Sequence, residues 1–182
     1  MIAPVDISGV AIETQRLILR PWQATDLQDF YEYASVDGVG QMAGWLPHES
    51  IQQSQQILNV FLEGKDTFAI VLKESGKVIG SLGIDSSKEI ADMPGCGREI
   101  GYVLAKEYWG RGLMPEAVSA AIDFCFRQLQ MDYLACGHFE WNQQSRRVIE
   151  KCGFRFWKDV AFKTRAGDIE NTRLYILYNN TK

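Results

Sequence analysis

The sequence predicts an α/β protein built on one mixed sheet, and three observations carry that expectation. Short apolar runs rich in branched and aromatic residues alternate with longer stretches in which apolar residues recur at helical spacing. Two pairs of these runs are joined by short glycine-containing links, Glu74-Ser75-Gly76-Lys77 and Arg165-Ala166-Gly167-Asp168, the mark of antiparallel hairpins. One run, Arg98 to Ala105, leads through a glycine-bracketed turn into an amphipathic stretch, which reads as strand, tight turn and crossover helix. The tally is about seven strands with about four helices. With 182 residues, 46% of them hydrophobic, the chain is long enough for one substantial core and short for two, so residues 1–182 read as a single domain with its core at about 13–178.

Along the chain, Arg16 to Arg20 reads as the first strand. Thr25-Asp26 then offers a helix start, with Leu27, Phe30, Tyr31 and Ala34 at helical spacing. Gly38 to Pro47 is loop-like. A second helix begins near Glu49-Ser50, its buried stripe supplied by Ile51, Ile57, Leu58 and Phe61. Thr67 to Leu72 and Val78 to Ile84 form the first hairpin, Ser86 to Gly97 a loop, and Arg98 to Ala105 the next strand. The crossover helix shows Leu113, Ala117, Ala120, Ala121, Phe124 and Leu129 on one side. Tyr133 to Phe139 is a strand, and Asn142 opens a short helix that stops at Gly153 with Val148, Ile149 and Cys152 inward. Phe154 to Thr164 and Ile169 to Tyr178 close the chain as the second hairpin.

The turn Trp109-Gly110-Arg111-Gly112-Leu113 is the most informative segment. Glycines on either side of one residue let bare backbone approach a ligand, and the first unpaired N–H groups of the following helix carry a partial positive charge. Pro115 suits the first helical turn, where a missing N–H costs nothing, and Glu116 suits the positive end of the dipole. An ordinary strand-to-helix turn without a ligand is the competing reading.

Composition excludes several classes. Lys and Arg total 19 against 23 Asp and Glu, a net charge of −4 with no basic cluster, which argues against nucleic acid as the main ligand; the mildly acidic surface is compatible with a cationic or amine substrate, and solubility alone explains the balance about as well. Cys96, Cys125, Cys136 and Cys152 are scattered, without a C-x-x-C pair or a histidine at ligand spacing, so neither a disulfide frame nor a metal site is expected. Cys125 and Cys136 read as core residues. Met1 to Val10 lacks a signal pattern and no long apolar run follows, so no membrane association and a cytoplasmic location are expected.

Two segments together resemble the GCN5-related N-acetyltransferase (GNAT) superfamily, in the branch similar to the ribosomal-protein N-terminal acetyltransferases RimJ and RimL. The first is Glu99-Ile100-Gly101-Tyr102-Val103-Leu104 running into Tyr108-Trp109-Gly110-Arg111-Gly112-Leu113. The second is Asn142-Gln143-Gln144-Ser145 through Val148 and Glu150-Lys151-Cys152-Gly153-Phe154, similar to an N-x-x-S…E-K-x-G-F signature. Glu13 to Pro21 also looks like that branch's first strand, and the element order agrees from about Glu13 to Tyr178. One departure is Glu107, where the superfamily's phosphate loop usually starts with Gln or Arg; an acid there should point away from a diphosphate.

The resemblance implies the GNAT acyl-CoA N-acyltransferase fold with a splayed central strand pair, acetyl-CoA as co-substrate, no metal, and direct acetyl transfer to a primary amine without a covalent enzyme intermediate. It implies pantetheine contacts at Val103, Leu104 and Asn142, and diphosphate contacts at Gly110, Arg111, Gly112 and Leu113, with Trp109 bordering the cofactor. Trp109 as packing, Arg111 as a solvated arginine and Asn142 as a helix cap remain open beside those roles. Ser145 stands where the RimL-like branch is thought to protonate the leaving thiolate, and a helix-surface serine is the alternative.

Glu99 corresponds to the base of histone-acetylating relatives. An aqueous carboxylate pKa of ~4.3 is low for that task, so burial or an ordered water is needed; a salt bridge to Arg98 is the other reading. Asp85 and Glu140 are lesser candidates, and His48 and His138 have better-matched pKa values but no identifiable partner. A protein or peptide N-terminus is the expected acceptor; a polyamine or antibiotic amine and a non-catalytic acyl-CoA sensor are the alternatives. A nucleotide module is disfavoured because no Lys-Ser or Lys-Thr pair follows the turn. Selection of the amine falls to Gly38 to Leu62 and Arg165 to Ile169. There Met42, Trp45 and Leu46 either line a pocket or form a homodimer contact.

Overall fold

A computed structural model describes residues 5–180. The strands are β1 (Ile12–Glu13), β2 (Leu17–Pro21), β3 (Thr67–Leu72), β4 (Val78–Asp85), β5 (Gly97–Leu104), β6 (Tyr133–Phe139), β7 (Arg155–Lys163) and β8 (Ile169–Tyr178). The helices are α1 (Leu27–Ala34), α2 (Ile51–Gly64), α3 (Leu113–Arg127) and α4 (Gln143–Lys151). They form one mixed sheet of eight strands in the order β1-β2-β3-β4-β5-β6-β8-β7. The class is the one read from the sequence; the strand beyond the expected seven is β1, whose two residues are too few to show a period.

Among the described residues only β5 and β6 run parallel, and α3 makes the crossover between them. β8 lies beside β6, so the closing hairpin leaves β7 at the edge. Apolar side chains cover both faces of the central strands. On one face Phe68, Ile70, Ile84 and Ile100 pack with Ala117, Ala121 and Phe124 of α3 and Ile149 of α4. On the other, Ala69, Val71 and Val78 pack with Trp22, Phe30, Tyr33 and Leu58. Each successive side chain of β3 feeds the opposite core, which is why the run reads as continuously apolar. Cys125 and Cys136 are buried core residues, and all four cysteines are free thiols.

Local chemistry explains two departures from the sequence reading. Asp26 makes no cap hydrogen bond to α1; it accepts from both Arg20 guanidinium nitrogens at 2.8 Å and from the Gln23 N–H at 2.8 Å, tying β2 to the helix entry. The buried positions of α2 are Ser54 and Leu58, whereas Ile51 and Ile57 are half-buried. Ser54 is fully buried because its hydroxyl meets His48 Nδ1 at 2.7 Å.

The sheet is open at its middle. The β5–β6 ladder runs from Gly97 opposite Tyr133 to Ile100 opposite Cys136 and then stops. Beyond it, β5 stays paired with β4 as far as Leu104 and β6 with β8 as far as Phe139. The backbone edges of 101–104 and 137–139 therefore part, giving the splayed pair that the resemblance implied. The gap takes the ladder partners from backbone polar groups in the centre of the sheet.

Candidate active site

β5 ends at Leu104 and passes through a short 3-10 turn, Lys106–Tyr108, into the glycine turn. Gly110 and Gly112 have φ of +75° and +73°, the left-handed region that side chains with a Cβ resist. Gly112 is the N-cap of α3. Among the described residues, the N–H groups of Gly110, Arg111, Gly112, Leu113 and Met114 make no hydrogen bond; the first amide of the helix to do so is Glu116, to the Gly112 carbonyl at 3.4 Å. Pro115 contributes no donor. The result is a run of free amides at the positive end of a helix, suited to an anion.

A cavity of about 200 Å³ joins this turn to the splay. Val103, Leu104, Trp109, Gly110, Gly112, Leu113, Asn142 and Ser145 all line it, so the structure gathers most of the residues singled out from sequence. Glu99 and Arg111 lie outside it. The Arg111 guanidinium is over the Tyr108 ring, 5.3 Å from its centroid. Glu107 is exposed and also outside the lining. Trp109 lines the cavity and also braces the strand end, its indole N–H donating to the Leu104 carbonyl at 2.7 Å.

Asn142 caps α4, its Oδ1 accepting from the Ser145 N–H at 3.1 Å, while Nδ2 donates to the Met42 carbonyl at 3.2 Å. Met42 belongs to the 3-10 turn Gly40–Ala43 in the early loop, so one asparagine joins α4 to the region expected to select the amine. Ser145 lies one turn into α4, with its Oγ 2.8 Å from the Tyr102 hydroxyl. Burial drives the Tyr102 pKa well above its ordinary range, so the tyrosine stays a neutral O–H.

The carboxylates lie on the other face of the sheet. Along β5, Glu99, Gly101 and Val103 share one face and Ile100, Tyr102 and Leu104 the other. Asp85 is opposite Glu99 and Gly83 opposite Gly101. A Cβ added to Gly83 or Gly101 would come within 2.7 and 3.0 Å of Asp85 Oδ2, so this carboxylate is folded over bare backbone toward the splay. A Cβ on Gly137, the first residue of β6 past the ladder, would be 3.6 Å from Glu99 Oε1.

Asp85 keeps an exposed edge, yet the protein packed around it strips hydration, and Asp66 and Glu99 add repulsion that outweighs Arg98. Together these push its pKa up to about 7. Glu99 is also raised, by burial first, against a hydrogen bond with Ser87. Glu140 accepts from Asn171 Nδ2 at 3.1 Å and does not line the cavity.

Both histidines, for which the sequence shows no partner, have one. His48 Nδ1 meets Ser54, while His138 bonds the Phe139 carbonyl at 2.8 Å and the Tyr175 hydroxyl at 3.4 Å. Burial lowers both pKa values, so these are neutral structural rings.

Sequence reasoning missed the α4 wall of the cavity, Gln144, Arg147, Val148 and Lys151. Their helical spacing is a signal for a shared face, whereas Gln144 and Lys151 entered only as signature positions and Val148 as an inward residue. Tyr102 was missed as well, because its alternation places it among core residues. Among the described residues no group of three or more His, Cys, Asp or Glu is placed to hold a metal ion, and no helix is long and apolar enough to cross a membrane.

A parted parallel strand pair beside a free-amide turn defines an acyl-transferring class of enzyme, and the comparisons agree. The family model described as acetyltransferase (GNAT) domain matches residues 16–155. The uncharacterised N-acetyltransferase p20 of Bacillus licheniformis is 29% identical over 147 residues, covering 78% of this chain and 80% of its own. Among solved structures, a GNAT-family acetyltransferase from Bacillus anthracis has a TM-score of 0.82 at 19% identity, over 93% of this chain and 99% of that one. The ribosomal-protein-S5-alanine acetyltransferase from Vibrio fischeri has a TM-score of 0.73 at 22% identity, over 94% and 98%. The chain belongs to the GNAT acetyltransferase family and is an N-acetyltransferase.

Proposed function

We propose that this enzyme takes its acetyl group from acetyl-CoA and passes it directly to the N-terminal amine of a protein or peptide. The observation that carries the reading is the continuity of one cavity from the free amides at Gly110 to Met114, through the splay at Val103 and Leu104, to Ser145. The residues fit the co-substrate: glycines in the left-handed region and unpaired amides suit a diphosphate, and parted strand edges suit the amides of a pantetheine arm. Arg147 and Lys151 add positive charge along the same wall. When bound, the co-substrate supplies an activated acyl thioester.

The chain's own residues do the rest. Asn142 caps α4 and so holds Ser145 at the groove, where its hydroxyl is placed to give a proton to the leaving sulfur. On the opposite face Glu99 and Asp85 act as a carboxylate pair, with Asp85 receiving the amine proton, directly or through a water. A pKa of about 7 leaves Asp85 basic enough to help at neutral pH. Unpaired N–H groups at the splay supply donors for the oxyanion. The acid and base thus work from opposite faces of the sheet, through the gap between β5 and β6.

The peptide acceptor is favoured by the likeness to a ribosomal-protein-S5-alanine acetyltransferase and by the acidic pair facing an amine. A thiol-release screen of N-terminal peptides and small amines tests it. Turnover on peptides with free N-termini and none on N-blocked ones is expected; turnover on polyamines or aminoglycosides alone replaces the peptide, and acetyl-CoA binding with no turnover on any amine removes the catalytic reading.

A further inference from the structure

The glycine turn is braced from behind by a segment about a hundred residues earlier in the chain. Arg16 Nη1 donates to the Arg111 carbonyl at 2.9 Å. Arg16 Nε and Nη2 both reach Glu116 Oε2 at 2.7 Å, while the Arg16 backbone N–H and the Thr14 hydroxyl donate to Glu116 Oε1 at 2.8 and 2.6 Å. Burial alone would raise the Glu116 pKa, but these donors together hold it below the ordinary range, so the carboxylate is charged at neutral pH.

The peptide between Arg111 and Gly112 is trans, so its carbonyl and N–H point in opposite directions. With the carbonyl tied to Arg16, the Gly112 N–H faces away from Arg16. Gly112 lines the cavity and Arg16 does not. Left-handed glycines are free to rotate that peptide, and without the tie the turn would sample orientations in which the amide and carbonyl exchange sides.

We infer that Arg16 and Glu116 are positioning residues that pre-set the turn's amides toward the co-substrate's diphosphate. The inference rests on the acetyl-CoA reading above and adds residues that the cavity itself does not contain. It also makes a prediction of sign. Glu116 is an acid in the first turn of the helix that would receive an anion, so by charge alone removing it should tighten binding. If Glu116 acts by holding Arg16, removing its charge weakens binding instead.

The test is calorimetric titration of wild type, Glu116→Gln and Arg16→Lys with CoA and, separately, with pantetheine, which lacks the diphosphate. Arg16→Lys keeps the charge and loses the planar fork that spans Arg111 and Glu116. Both variants are expected to bind CoA about tenfold more weakly and pantetheine with unchanged affinity. Glu116→Gln binding CoA as tightly as wild type or tighter overturns the clamp, as does Arg16→Lys behaving like wild type. Equal losses for CoA and pantetheine, with a lowered melting temperature, also overturn it, since the pair would then serve only the fold. Wild type ignoring CoA at millimolar concentration sinks the acetyl-CoA reading itself, a different outcome from any of these.

Discussion

The Tyr102 hydroxyl lies 2.8 Å from Ser145 Oγ and 3.2 Å from the Ser145 carbonyl oxygen, so a strand residue on one side of the splay reads both the side chain and the backbone of a helix residue on the other. A phenol has one proton to give. When it goes to the serine oxygen, the serine's own proton is free to point into the groove. When it goes to the carbonyl, Ser145 must donate to the tyrosine and turn away. Ser145→Ala is therefore expected to lower kcat by about a hundredfold or more with little change in acetyl-CoA affinity. Tyr102→Phe, which keeps the ring, should cost about tenfold in kcat and nothing further in the Ser145→Ala background. Steady-state kinetics on the double-mutant cycle check this, and an unaltered kcat in Ser145→Ala removes the serine from the mechanism.

Replacing Gly112 by valine puts a branched side chain at φ +73°, and the added Cβ would meet Arg16 Nη2 at 3.6 Å, an ordinary contact, so the penalty comes from the backbone more than from collision. The turn must either strain or refold, and in both cases its amides lose their aim. Calorimetry with acetyl-CoA should show binding weakened by about a hundredfold or lost. Gly9→Val, at a similarly positive φ of 75° outside the cavity lining, serves as the control for strain alone and should leave affinity intact.

Most of the fold was legible because α3 carries its own helical period, while β3, β5 and β6 are short branched and aromatic runs bounded by their own turn residues. β1 was not, having only two residues, and Thr25-Asp26 shows only a helix start, since a short acid before a helix does not announce that Arg20 will reach it. In the site, the glycine turn and the Asn142–Ser145 turn were legible as local patterns, since backbone conformation and capping are decided within a few residues. The clamp on Arg111 and the facing of Asp85 toward Glu99 were not. Both depend on which strands become neighbours, and nothing near Arg16 in the sequence announces Glu116. The gap between β5 and β6 entered by resemblance alone, because a strand that parts from its neighbour halfway has the same composition as one that does not.

Asp85 ties stability to activity. Its folded pKa of about 7 stands above the ordinary 3.8, so between these values the folded chain holds a proton that the unfolded chain has released, and stability falls as pH rises through that window. Asp85→Asn removes the penalty. Urea denaturation should find the variant more stable than wild type above about pH 7, with the advantage fading as pH falls and absent below about pH 3.8. The same change should depress kcat/KM at every pH if the carboxylate takes the amine proton. Stability gained where activity is lost is the signature of a charge kept for chemistry.

Asp26 makes the opposite case, a carboxylate whose removal should cost stability and leave chemistry alone. It is 6% exposed, holds the half-buried Arg20 guanidinium through two bonds and accepts the Gln23 amide, so truncation leaves that cation with only the Pro21 carbonyl and leaves a backbone donor without its acceptor. Asp26→Ala is expected to destabilise by about 2 kcal/mol. Asp26→Asn should cost less, because the Gln23 amide can still find an acceptor. Arg20 lines no part of the cavity, so the folded fraction of either variant should bind acetyl-CoA with wild-type affinity. Denaturant midpoints measured beside calorimetric titrations separate the two effects. A loss of affinity exceeding the loss of folded protein would mean that the β2–α1 junction reaches the site after all.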